Sequence, residues 1–297
     1  MATDERNFRL FYYEKVGFRS VEEKKSLEIL LKDKPLDKVK LKQFCLRFTV
    51  PGVHRNYVWK IILDVIPVYA ESHSFVMSQR EVQYNDLLHA LKVMRIVDSN
   101  TSKPRLFIAM WLLETNRLYF DFNIQKENSS LVAICEALLQ VFNSDAEVYW
   151  VAKGFFQFSE QIQCDIPKHS DNVVRLIEKE DNELYKHLQT INALTGLPIS
   201  NWLKCCFAGV LNEAALVKIW DKMCGGSIKI LVFVAVVLFT NLRRSLLRCN
   251  DLDEVISCLG NITEETAEII ANKAIELWQQ NGTPMETSHL HQSNKPK

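Results

Sequence analysis

Three groups of side chains in this sequence carry reactive atoms at spacings that invite a catalytic reading. His187 follows Tyr185 by two residues in Glu183-Leu184-Tyr185-Lys186-His187-Leu188, where an imidazole could serve as a base. Cys205-Cys206 could form a redox pair. Asp221, directly after Trp220, could supply a carboxylate. Each has a plainer alternative: a packed or surface histidine, two core thiols, and a structural hydrogen-bond acceptor. For His187 and the cysteines the plainer reading is preferred, because vicinal cysteines rarely bridge and Cys packs well in cores. For Asp221 the two readings stand level. No phosphate loop of the GxxxxGK[ST] kind, no GxGxxG, no GxSxG, no HExxH and no EF-hand pattern occurs. Nor is there any CxxC, so zinc-site spacing is absent, and neither a metal nor a cofactor is expected.

The composition narrows the setting for these residues. With 297 residues and 47% apolar content, the chain can bury a large core and is far from the composition of disordered proteins. Lys plus Arg and Asp plus Glu are 36 each, so no net charge draws the protein towards nucleic acid or an anionic membrane. Eight cysteines at irregular positions and a polar N-terminus without a signal-peptide core point to free thiols in a reducing compartment. The apolar run Ile230 to Phe239 has ten residues, about half of the ~20 that a spanning helix needs, and reads as a buried helix.

No internal repeat and no useful run of strand-like alternation is present, so the expected fold class is all-α. Ser20-Val21-Glu22-Glu23 forms a capping box that should start the first helix, and Pro35 suits the first turn of the next. Helices are expected over 54–63, 74–97, 104–113, 131–142, 145–158, 171–188, 202–209, 213–224, 228–248 and 252–259. A last one should begin at Glu264 with Thr263 as its cap. Residues 114–130 read as a loop, 164–170 as a hinge around Pro167, and 284–297 as a disordered tail.

Several stretches together resemble the TBC domain, the helical fold of Rab GTPase-activating proteins. Pro51-Gly52-Val53-His54-Arg55-Asn56-Tyr57-Val58-Trp59 is similar to the family's entry motif, with Arg55 at the surface or buttressing the site and Trp59 in the core. Glu147-Val148-Tyr149-Trp150, the Tyr185–His187 stretch, Trp202 and Ile219-Trp220-Asp221 follow in the family's order. The resemblance implies one domain over 1–283 with two helical subdomains, about 7–165 and 170–283. It also implies a mechanism. TBC domains stabilise the charge that builds on GTP phosphates with an arginine finger, worth roughly 10³–10⁵ in rate. The finger comes from an Ile-x-x-Asp-x-x-Arg motif, and a Tyr-x-Gln motif supplies a glutamine that orients water.

Here the finger motif falls on Leu88, Leu91 and Met94, with Arg95 one residue late and hence rotated by about 100°. The glutamine motif falls on Tyr119-Phe120-Asp121, where an ionised carboxylate can only accept hydrogen bonds and would repel phosphate. The family branch that fits these departures, and text such as Tyr12-Tyr13-Glu14-Lys15-Val16-Gly17-Phe18, is the non-catalytic third subunit of the tuberous sclerosis complex. That branch binds the hamartin coiled coil and, through it, tuberin, which activates GTP hydrolysis by Rheb and so restrains mTOR signalling. A cytoplasmic protein recruited to lysosomes is implied. The partner face would lie on a helix unbroken from Tyr84 to Val97, through Tyr84, Leu87, Leu88, Leu91, Met94 and Arg95, with Ala90, Val93, Ile96 and Val97 as a second apolar stripe. Two alternatives stay open: a Rab GTPase-activating protein using Arg80, Arg95 or Arg105, and a module that holds a Rab without hydrolysis.

Overall fold

A computed structural model describes residues 18–119 and 129–281. Asp121 and Phe120 of the expected glutamine motif, and the tail 284–297, lie outside the described residues. The described chain is helical and carries no strand, only an isolated bridge between Ala208 and Leu211.

The first three helices are α1 (Phe18–Leu30), α2 (Lys38–Arg47) and α3 (Gly52–Ile62). α1 begins two residues before the expected Ser20 cap, and α2 is capped by the Asp37 carboxylate, which accepts from the amides of Val39 and Lys40, so Pro35 precedes the helix. After a short 3₁₀ turn come α4 (His73–Val93) and α5 (Lys103–Glu114). α6 (Ser129–Val141), α7 (Asp145–Cys164) and α8 (Ile166–Glu180) follow, then α9 (Asn182–Thr190) and α10 (Ile199–Lys204). The remainder is α11 (Glu213–Cys224), α12 (Ile230–Asn241), α13 (Arg243–Leu246), α14 (Leu252–Gly260) and α15 (Glu264–Asn281).

α12 has the ten apolar residues Ile230 to Phe239 all buried, as a helix apolar on every face must be. α8 and α15 pack against it, and α15 also packs on α11. On α15 the inward face is Ala267, Ile270, Ala271, Ala274 and Trp278, at the helical spacing read from the sequence. The Thr263 hydroxyl accepts from the Thr266 amide, which makes it the expected cap. Buried side chains form one hydrophobic cluster from Leu27 to Trp278. No helix among the described residues is long and apolar enough to cross a membrane.

Several expected boundaries differ: the helix expected over 145–158 runs on to Cys164, that over 171–188 is split at Asp181 into α8 and α9, and that over 228–248 is split at Leu242 into α12 and α13; three further departures have a plain local cause. The helix expected over 74–97 stops at Val93, since Arg95 turns into the left-handed region at φ 57°. The 164–170 segment is no hinge loop: Asp165 alone separates α7 from α8, and Pro167 sits in the first turn of α8, where its missing N–H costs nothing. The 202–209 helix ends at Lys204, because Cys206 and Phe207 take positive φ and direct the Cys206 carbonyl to the Trp220 indole N–H at 3.0 Å.

Candidate functional site

The entry motif and Asp221 meet in one buried polar cluster. Arg55 and Trp59, four apart on α3, share a face and point at α11. The fully buried Asp221 carboxylate accepts from the Val50 amide at 2.9 Å, Arg55 Nε at 3.1 Å, Arg55 Nη2 at 3.2 Å and the Trp59 indole N–H at 2.9 Å. Arg55 Nη2 also donates to the Val50 carbonyl at 2.5 Å. The next residue, Lys222, is buried too and donates to the Cys45 and Phe48 carbonyls at 2.8 and 2.6 Å. Those carbonyls lie at the end of α2, where the helix dipole favours a cation.

Burial pushes the Asp221 carboxyl above the usual carboxylate range, against the pull of Arg55. Burial likewise lowers the Lys222 ammonium to about 8, with Asp221 pulling it back up. Trp59, Trp220 and Phe155 seal the cluster, with ring centroids 4.3 to 6.1 Å apart. No substrate reaches an acceptor whose lone pairs are so filled, so Asp221 is structural. Arg55 buttresses it rather than standing on a free helix surface.

The other sequence-selected residues are also in structural roles. His187 Nε2 lies 3.0 Å from the Cys249 carbonyl and ties α9 to the chain after α13. Half-buried Tyr185 stands on the same helix, α9, which packs on α8. Asp181 caps α9 and receives Arg243 Nε at 2.6 Å; Arg243 also pairs with Glu183. Trp202 packs between Phe207 and Phe239 at 6.1 and 5.9 Å. Cys205 and Cys206 are free and buried, and burial raises both thiols, Cys205 to about 11.

At the end of α4, where a finger would stand, Leu91 is 0% exposed and Leu88 is half-buried against the core. Met94 is 44% exposed, while Arg95 is exposed and its side chain makes no hydrogen bond or ion pair among the described residues. The Arg95 and Ile96 amides close the helix on the Lys92 and Leu91 carbonyls, a Schellman-type end in which Arg95 takes the position that glycine usually fills. Of the other candidate arginines, Arg80 lies over the Trp150 ring at 4.2 Å, and its own carbonyl receives the Trp150 indole N–H at 3.0 Å. Arg105 is half-buried on α5. Tyr119 is exposed.

The expected partner face is therefore divided. Tyr84, Leu91 and Val97 are core, and Leu87, Leu88 and Ile96 pack against it. Ala90 is half-buried and faces no better than these. What faces water is Phe75, 69% exposed, Val82, 50%, and Val93, 68%, with Met94 beside them. At 100° per residue, Phe75, Val82 and Val93 fall within about 20° of one another on α4. Phe75 and Val82 were missed by starting the stripe at Tyr84, although the seven-residue interval between them is a legible helical signal. Arg117 was missed as well: it stacks on Trp111 at 4.0 Å, receives support from Thr115 and pairs with Glu160, two residues before Tyr119.

Comparison with known proteins agrees with this architecture. The family model for the Rab-GTPase-TBC domain matches residues 129–247. Human TBC1 domain family member 7 is 40% identical over 288 residues, covering 96% of this chain and 98% of the relative. The Danio rerio protein of that name is 39% identical over 293 residues, covering 97% and 100%. The crystal structure of the Ypt/Rab-GAP domain of Gyp1p has a TM-score of 0.64 at 16% identity, covering 88% of this chain and 98% of that one. A Chlamydomonas flagellar RabGAP TBC domain has 0.59 at 15%, covering 93% and 92%. At that identity the two structures speak for the fold alone. The all-helical TBC architecture, shared with proteins of known fold, and the near full-length relatives lead to one assignment: the chain belongs to the family of TBC1 domain family member 7 proteins.

Proposed function

We propose that this chain is a non-catalytic TBC subunit of the tuberous sclerosis complex that docks on the hamartin coiled coil through α4. In that reading it supports tuberin-dependent GTPase activation of Rheb and restrains mTOR signalling, in the cytoplasm and at lysosomes. The observation that carries it is the end of α4. A buried leucine, Leu91, stands within the finger motif, and the outer face of the same helix exposes Phe75, Val82 and Val93. An apolar stripe on a long helix is the surface that another helix covers.

The test is co-elution of the purified chain with a hamartin coiled-coil fragment, followed by light scattering to give stoichiometry. A stable complex that is lost in Val82→Asp and Val93→Asp supports the proposal. No complex at micromolar concentration sinks it. Leu91→Asp, natural to try from the sequence, is the wrong variant because its carboxylate would enter the core.

One observation favours a second reading, as a Rab GTPase-activating protein or a passive Rab-binding module. Arg95 is exposed and unengaged at the very end of α4. Stimulated GTP hydrolysis by a Rab, lost in Arg95→Ala, would establish the first form. Nucleotide-dependent binding without a rate change would establish the second.

A further inference from the structure

α4 carries a regularity beyond its exposed apolar residues. Phe75, Gln79, Val82, Asp86, His89 and Val93 follow one another at intervals of four, three, four, three and four, and all of them are exposed. That spacing is the heptad seam of a coiled coil. At 100° per residue the six lie within about 80° of arc, and the row runs for about 27 Å along the helix. α4 is regular from His73 to Val93, so nothing breaks the row. The opposite side of the helix, Tyr84 and Leu91, is already in the core. A heptad seam left facing water fits a second helix with the matching repeat. Asp86 stands in the middle of the seam and is its one acid. Its carboxylate makes no hydrogen bond or ion pair among the described residues. The positions that flank the seam carry no charge either: Ser78 and Asn85 on one side, Gln83 and Ala90 on the other.

A second copy of this chain is a poor occupant. Laid parallel and in register, two such seams bring Asp86 against Asp86. Laid antiparallel, Phe75 meets Val93 and Gln79 meets His89, but Val82 meets Asp86. Either way a carboxylate loses water and gains no cation, which opposes the pairing. We propose, resting on the reading of α4 as the face that docks a coiled coil, that Asp86 selects the partner helix. The helix it accepts carries Lys or Arg opposite Asp86 and apolar residues opposite Phe75, Val82 and Val93. A polar residue in a seam weakens a coiled coil but admits the one alignment that satisfies it, so Asp86 fixes register as well as partner. In many coiled coils charged flanks share this task; here the flanks are neutral, and the choice falls to Asp86.

The experiment titrates the purified full chain with a hamartin coiled-coil fragment by calorimetry, in wild type, Asp86→Lys, Asp86→Asn and Val82→Asp. Circular dichroism and melting check that each variant keeps its fold, as an exposed position should allow. Asp86→Lys should weaken binding by about tenfold or more, and Asp86→Asn by about threefold. The wild-type affinity should fall with added salt, and the Asp86→Asn affinity should fall less. Exchanging the Lys and Arg residues of the fragment for Glu, one at a time, should identify one position whose exchange restores binding to Asp86→Lys and weakens binding to wild type. A complex lost in Val82→Asp but unchanged in Asp86→Lys and Asp86→Asn would overturn this role of Asp86 and leave α4 as the docking face. Weakening that no single exchange reverses would also overturn it, because a selective pair must have a partner charge. No complex with wild type would overturn both.

Discussion

The cluster around Asp221 and the outer face of α4 are opposite solutions within one domain. In the first, a carboxylate, a guanidinium, an indole N–H and a backbone amide each satisfy another, and all are hidden from water. Removing Asp221 takes the shared acceptor from all of its donors at once, whereas removing one donor leaves Asp221 held by the rest, so the arrangement is over-determined around the carboxylate. In the second, Phe75, Val82, Val93 and Arg95 face water, and the fold asks little of their identity. The scaffold can therefore be kept by the first region whatever side chains the second presents to water.

The largest effect should come from the buried side of this contrast. Asp221→Ala leaves Arg55 charged and unpaired, and should cost about 3–5 kcal/mol in urea unfolding. A loss below about 1 kcal/mol would show that the cluster is not over-determined. Alkali should attack the same interior. Cys45, Cys135, Cys206 and Cys224 have thiols raised far above 9.0, and Cys205 is raised to about 11. Such groups ionise first in the unfolded chain, so their contribution is complete below pH 9 and is lost as pH rises towards the folded values. Lys222 works the other way between about 8 and 10.5, because the unfolded chain holds its proton longer. Five thiols outweigh one amine, and the melting temperature should fall steadily from pH 9 to 11.

Smaller effects probe the surface side. Arg95→Gly relieves a left-handed arginine and should stabilise the domain by about 0.5–1 kcal/mol. A destabilised variant would mean that the Arg95 side chain holds the helix end after all. Smallest of all, Val93→Asp should change stability by no more than about 0.5 kcal/mol. A larger loss would put Val93 in the core and erase the distinction between the two regions.

Legibility in the sequence followed the same divide. The apolar run of α12, the Thr263 cap and the spacing on α15 follow from local chemistry, and all could be read. The structural role of Asp221 was readable only as one of two options, because its four donors come from 162 to 171 residues away in sequence. The stop of α4 was hidden: no Gly or Pro marks it, and an arginine adopts the left-handed turn while buried Val97 anchors the chain beyond. The end of α10 was hidden for a similar reason, since the demand of Trp220 for a carbonyl turns Cys206 out of the helix. Exposure on α4 could be narrowed to a helix but not to a stripe, because Tyr84 and Val82 look alike until the core side is known.

α12 also constrains how the polypeptide must be made. Its ten apolar residues are covered in part by α15, which is synthesised later by more than twenty residues. Until α15 has emerged from the ribosome, α12 has α8 on one side but lacks the cover that α15 gives, and a nascent chain in that state is a target for chaperones and for aggregation. The domain must therefore complete its fold only after the stretch through Trp278 is free, and a premature stop shortly after α12 should yield insoluble protein rather than a smaller working domain.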